Sequence, residues 1–115
     1  MLVTLKSFKF ALNGIKDAFK SEPNLRIHFL ASFFVIVFAI YLKFTILEFS
    51  LLILTIFSVI ILELVNTIVE KIVDLHSLEI SEEARIIKDM SAGTVLLGAI
   101  MSVIVGLCLF LPKLL

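Results

Sequence analysis

The residues best suited to chemistry lie in the stretch Glu63-Leu64-Val65-Asn66-Thr67-Ile68-Val69-Glu70-Lys71-Ile72-Val73-Asp74. Wound into an α-helix of about 3.6 residues per turn, it places Glu63, Asn66, Thr67, Glu70 and Asp74 on one stripe, with Leu64, Val65, Ile68, Val69, Ile72 and Val73 over the rest. The carboxylates are thereby aligned along a single face. Glu63 follows fourteen uncharged residues, Phe49 to Leu62. That run sets it at or below a membrane surface, where an ionisable group is costly unless it has a partner or a task. A hard divalent cation such as Mg²⁺ takes carboxylate oxygens, commonly about one or two from protein and the remainder from phosphate and water. Glu70, and Glu22 from the polar break Ser21-Glu22-Pro23-Asn24, fit that description. A lysine at the interface can neutralise charge on a transferring phosphoryl group, and a third carboxylate can accept the proton of an attacking hydroxyl. Lys88 and Glu63 are the candidates for those two tasks.

Composition dictates the setting in which these groups are held. The 115 residues suffice for one domain, and 61% are hydrophobic, with a mean hydropathy of +1.19. A soluble globular chain is roughly 45–50% apolar, so the sequence reads as an all-α integral membrane protein. A formal net charge of zero and the absence of Trp offer neither a basic excess nor stacking platforms, which argues against a nucleic-acid partner. The single cysteine, Cys108, permits no internal disulfide and no Cys-based metal site, and is expected to be a buried, inert thiol. The first long apolar run begins only after Arg26, so no cleavable signal is expected and the N-terminus should be retained.

The elements follow in order. In residues 1–21, Leu5, Phe8, Leu12, Ile15 and Phe19 share one helical stripe and Lys6, Lys9, Asn13, Lys16 and Lys20 an adjacent one. This predicts an amphipathic surface helix, its apolar face in the acyl boundary and its lysines among anionic headgroups. Pro23 breaks that helix and can start the next. Three spans are expected: 25–43, then 46–74 with a polar extension, then 89–112, joined by a short far-side turn from Lys43 to Phe49 and a charged loop from His76 to Asp89. Met90 to Pro112 carries no charge over 23 residues, and its Gly93, Gly98 and Gly106 would permit close helix contacts. Most Lys and Arg fall on one side, against Lys43 and Lys113 on the other. The positive-inside rule therefore puts the N-terminus, Glu22, the acidic stripe and Lys88 on the cytoplasmic face and the C-terminus outside.

No Gly-x-x-x-x-Gly-Lys-[Ser/Thr] loop, His-Arg-Asp or Asp-Phe-Gly is present, which removes the soluble kinases as templates. The string from Glu63 to Asp74, Lys88-Asp89-Met90-Ser91-Ala92-Gly93, and Ser21-Glu22-Pro23-Asn24-Leu25-Arg26-Ile27-His28 resemble instead the small bacterial diacylglycerol kinase and undecaprenol kinase family. The resemblance covers nearly the whole chain. It implies a homotrimer of three-span subunits in the bacterial plasma membrane, with composite active sites that transfer the γ-phosphate of ATP, with Mg²⁺, to a lipid alcohol. Carried across position by position, it makes Glu63 the catalytic base, gives the metal to Glu22 and Glu70, and sets Asn66 and Lys88 on ATP phosphates. Asp74 and Asp89 would orient neighbours or bind nucleotide. Phe10 matches a nucleotide-side position that is often Tyr, so a hydroxyl contact is absent there; Glu79 keeps its place while Leu78-Glu79-Ile80-Ser81 lacks the Tyr and His of the family. Arg26-Ile27-His28 and Phe110-Leu111-Pro112-Lys113 look more like the Gram-positive branch, for which undecaprenol is the usual acceptor and diacylglycerol the alternative.

Plainer explanations stand beside these. Glu70, Lys71 and Asp74 can be a solvated helix end, Glu79, Glu82 and Glu83 a solvated loop, Lys88-Asp89 a charge pair anchoring a helix start, and His28 an interfacial residue. A different class of function, a small oligomeric ion-coupled transporter with Glu63 as its proton site, accounts for the intramembrane acid. It does not account for Glu22 and Lys88 joining that acid on one face.

Overall fold

The computed structural model describes residues 2–76 and 81–115 and consists of helices α1 (Leu2–Ser21), α2 (Pro23–Tyr41), α3 (Ile46–His76) and α4 (Glu82–Leu114). The last three are long and apolar enough to cross a membrane. At about 1.5 Å per residue, α3 and α4 reach roughly 46 and 50 Å, against a hydrocarbon core of about 30 Å, so their polar ends project beyond it.

The break between α1 and α2 is a built elbow. Glu22 adopts an extended backbone (φ −115, ψ 104) with Pro23 opening the next helix, where its missing N–H costs nothing. Arg26 reaches back from α2 and donates through Nη1 to the carbonyls of Phe19 (3.1 Å) and Lys20 (2.8 Å), satisfying orphan acceptors at the end of α1. Phe19 and Phe29 close the bend edge to face at 5.7 Å. These contacts fix where Glu22 sits.

At the opposite end, α2 stops on a left-handed residue, Lys43 (φ 58). The Lys43 N–H donates to Ile40 O (3.1 Å) and the Phe44 N–H to Ala39 O (3.2 Å), the paired bonds of a Schellman stop, with Phe44 and Ala39 packed together in the core. Thr45 and Glu48 then start α3 with reciprocal bonds: Glu48 N–H to Thr45 Oγ1 at 3.2 Å and Thr45 N–H to Glu48 Oε1 at 2.8 Å. This is a capping box, and Glu48 also meets Lys113 of α4 at 3.0 Å. Phe44 and Phe110 (ring centroids 4.9 Å apart), Phe38 and Phe110 (5.6 Å) and Phe44 and Phe49 (5.7 Å) fill the space between. The hydrophobic core of Ala39, Phe44, Leu52 and Leu109 lies at this end.

α3 and α4 form an antiparallel hairpin, the most extensive helix pair in the chain. Glu48 with Lys113, Leu62 with Gly98, and Asp74 with Lys88 mark its register from end to end. A Cβ on Gly98 would stand 2.6 Å from Leu62 Cδ1, whereas one on Gly93 or Gly106 would meet nothing within 4 Å. Of the three glycines expected at close contacts, only Gly98 makes one within the chain. Residues Glu82 to Asp89, expected in a loop, are helical, because the Ser81 side chain caps α4 by accepting from Ala84 N–H at 3.0 Å and Glu82 and Glu83 complement the helix N-terminus. Cys108, expected buried, is exposed.

The whole is a slab of 53 × 42 × 21 Å. Its radius of gyration is 17.3 Å, where a compact domain of this length would have about 13 Å. The apolar faces stay largely uncovered, and the stripe Leu5, Phe8, Leu12, Ile15 and Phe19 of α1 is exposed throughout.

Candidate functional site

The polar end of the slab collects the elbow, the last turns of α3 and the first turns of α4. Glu63 is the centre of that end. It is 6% exposed, and with Thr67 and Ser91 it makes up the buried polar residues among those described. The Thr67 hydroxyl donates to the Glu63 backbone carbonyl at 3.1 Å, so it leaves the carboxylate uncommitted. That carboxylate faces α2, where His28 Nε2 stands 3.7 Å from Glu63 Oε2. One turn along the stripe, Asn66 Nδ2 donates to Glu70 Oε1 at 3.1 Å. The Asn66 side-chain oxygen, Oδ1, is buried without a partner among the described residues, as is Ser91 Oγ. A buried acceptor left open is costly, and an amide oxygen beside a carboxylate is a donor set suited to a hard cation or its water.

Lys88 crosses from α4 to Asp74 of α3 with Nζ to Oδ1 at 2.6 Å. Asp89, beside it, is held by Arg85 Nη1 at 2.7 Å, and Arg85 also pairs with Glu82. These three lie at the charged start of α4, ahead of its uncharged run from Met90 to Pro112. The Arg85 hydrogen bond holds the Glu82 carboxyl below its ordinary pKa, and Glu82 raises that of Arg85 in return.

The single chain therefore draws the expected residues into pairs: Glu63 with His28, Asn66 with Glu70, and Lys88 with Asp74. Glu22 is half-buried at the elbow, with no hydrogen bond from its side chain to the helix it precedes. Phe10 lies on α1 at 69% exposure. Glu79 falls outside the described residues. Among the described residues no three His, Cys, Asp or Glu side chains gather at one point. A metal here would take at most two protein carboxylates from one chain, which is the number Mg²⁺ ordinarily takes when a phosphate supplies the rest.

Two residues of this end escaped the sequence reading. His28 was expected as an interfacial residue rather than a ligand, and nothing in its neighbours signals Glu63, which is brought to it only by the packing of α2 on α3. Arg85 carries a local signal, since it stands three residues after Glu82 and four before Asp89, a spacing that pairs side chains on one helical face.

Below His28, a largely apolar cavity of about 330 Å³ runs between α2, α3 and α4, lined by Val35, Ile56, Val59 and Val105 among others and reaching Phe110. A second opening, about 510 Å³, lies between α1 (Gly14, Asp17, Ser21) and α3 (Thr67, Ile68, Lys71).

A sequence model of prokaryotic diacylglycerol kinase matches residues 9–110. The chain is 46% identical over 112 residues to a diacylglycerol kinase of Synechocystis sp., covering 96% of this chain and 64% of that protein. It is 37% identical over 109 residues to the undecaprenol kinase of Bacillus subtilis, covering 95% of this chain and 89% of that one. With a diacylglycerol kinase of Helicobacter pylori it shares 36% identity over 95 residues, 83% of this chain and 74% of the relative. The chain thus spans just under two thirds of the first of these relatives and most of the other two. An acidic stripe entering the membrane on α3, a lysine brought to it by α4, and these matches over nearly the full length lead to one conclusion: the chain belongs to the prokaryotic diacylglycerol kinase family of membrane lipid kinases.

Proposed function

We propose that this chain transfers the γ-phosphate of ATP to the hydroxyl of a membrane lipid alcohol, undecaprenol, at the cytoplasmic surface of the bacterial plasma membrane. The observation that carries the reading is Glu63, a carboxylate 6% exposed that stands 3.7 Å from His28, a residue lining the apolar cavity. A hydrocarbon chain suits the cavity, and its terminal hydroxyl would then arrive beside Glu63. Glu63 takes the hydroxyl proton as the oxygen attacks the γ-phosphorus, and ADP leaves. Asn66 and Lys88 hold the phosphates, and Asp74 orients Lys88. Glu22 and Glu70 would hold Mg²⁺, which would supply neutralisation of the phosphate charge there. Phe10, Glu79 and Asp89 stand on the nucleotide side.

The site is read as composite. Each chain leaves most of its apolar surface uncovered, and a homotrimer would cover part of it and bring neighbouring protomers' carboxylates to a shared nucleotide. Residues 1–21 would lie as an amphipathic helix in the cytoplasmic interface.

Diacylglycerol is the second reading, favoured by the 46% identity to a protein named for that substrate. The deciding experiment gives purified full-length protein [γ-³²P]ATP with undecaprenol and diacylglycerol in parallel mixed micelles. Faster labelling of undecaprenol supports the first reading, faster labelling of diacylglycerol the second. Labelling of neither, with ion movement in liposomes lacking ATP, would favour the transporter.

A further inference from the structure

A base that takes a proton must also release it. The Glu63 side chain is 8% exposed, so a neighbour with more access to water offers the proton a route out. His28 is the polar side chain that reaches it from another helix among the described residues, at 3.7 Å, and its side chain is 33% exposed where that of Glu63 is 8%. Three basic groups at the same end are already committed: Lys88 to Asp74, Arg85 to Glu82 and Asp89, and Arg26 to the carbonyls of Phe19 and Lys20. Ser32, one turn from His28, donates its hydroxyl to the His28 carbonyl at 2.6 Å and so leaves the imidazole free. His28 also lines the apolar cavity that would hold an acceptor lipid.

We propose that His28 is the positioning residue for Glu63 and its proton outlet, holding the carboxylate toward the acceptor hydroxyl and receiving the proton that the carboxylate takes. The inference rests on the lipid kinase reading above. In the transfer step the lipid O–H bond breaks and its proton goes to a Glu63 oxygen. The lipid oxygen bonds to the γ-phosphorus while the bond from that phosphorus to the β,γ-bridging oxygen breaks, and ADP departs with the electron pair. In the reset step, Glu63 passes its proton to His28 Nε2 and the imidazolium releases its Nδ1 proton to water, which leaves Glu63 ionised and His28 neutral; exchange with water then restores the starting tautomer. A separation of 3.7 Å is slightly beyond a hydrogen bond, as is common before substrate tightens a site.

The test uses the full-length protein with the lipid that the parallel assay selects. His28→Gln keeps reach and polarity but accepts no proton. It should lower kcat by about tenfold to a hundredfold, the scale of assisted proton transfer, while KM for ATP is unchanged. His28→Ala should show a similar loss, partly restored by added imidazole. Pyrazole, of the same size but too weak a base to hold a proton at neutral pH, should not restore it. Wild-type kcat in His28→Gln overturns the proposal, as does rescue by both heterocycles or by neither, because a packing role alone predicts those outcomes. Where the alanine variant fails to fold, the His76→Gln protein supplies the measurement, since the chain has two histidines. Carbethoxylation of its remaining imidazole should abolish transfer, and hydroxylamine should restore it; activity that survives modification overturns the proposal. If the wild-type protein phosphorylates no lipid, the kinase reading falls. If it does and His28 proves indifferent, only this inference falls.

Discussion

Replacing Glu63 by Gln isolates chemistry from folding, because the structure predicts opposite magnitudes for the two. The amide is nearly isosteric, so the 6%-exposed site keeps its packing. The Thr67 hydroxyl bonds the backbone carbonyl of residue 63, which the substitution does not touch. The charge lost is a buried one whose partner stands 3.7 Å away, too far for a strong hydrogen bond, and a neutral amide is cheaper to bury than a carboxylate. Stability should therefore stay within about 1 kcal/mol of wild type, the scale of one modest hydrogen bond. Transfer should fall by about 10²–10⁴, the usual contribution of a positioned base, or roughly 2.7–5.5 kcal/mol on the barrier at about 1.36 kcal/mol per tenfold. The assay pairs [³²P]-phosphate transfer with size-exclusion profile and thermal unfolding in the same detergent. Wild-type transfer in the variant would refute the assignment of the base. A variant that dissociates or unfolds would show instead that the carboxylate serves assembly.

Other expectations follow from the same geometry. Glu70→Ala should weaken Mg²⁺-ATP binding, and Glu22→Ala likewise; unchanged Mg²⁺ dependence in both would remove them from the metal. Asp74→Asn breaks a 2.6 Å contact to Lys88 whose side chains are 65% and 39% exposed, so it should cost no more than about 1 kcal/mol of stability while raising KM for ATP. A lowered KM would mean that Asp74 competes with phosphate for the lysine. At the far end, Lys43→Gly relieves a left-handed residue, worth roughly 1–2 kcal/mol less the roughly 0.5–1 kcal/mol of added backbone freedom, so it should raise the unfolding temperature without changing kcat.

The helical outline was legible because its signals are local. Pro23 after Glu22 announces the elbow, and three apolar runs announce three long helices. The start of α4 was misread: the density of charge from His76 to Asp89 reads as a solvated loop, whereas Ser81 before Glu82-Glu83 caps a helix that begins at Glu82. The pairing of Asn66 with Glu70 follows from spacing on one helix. Glu63 with His28, and Asp74 with Lys88, join residues of different helices, and no periodicity within either helix specifies its partner. Gly93 and Gly106 mislead for the same reason: a small residue permits close approach, and only Gly98 has a neighbour, Leu62, at the crossing.

The aromatic knot of Phe38, Phe44, Phe49 and Phe110, together with the cap and ion pair at Glu48, fastens one extremity of the hairpin, while the other is marked by the pair of Asp74 and Lys88. Tongs joined at the handle behave this way: the limbs part at the tip with least effort. Segments with few buried apolar contacts open most readily, and among the described residues the buried apolar cluster lies at the Phe44 end, so the hairpin would part first at the end where, on the proposed function, a bulky charged co-substrate would be admitted.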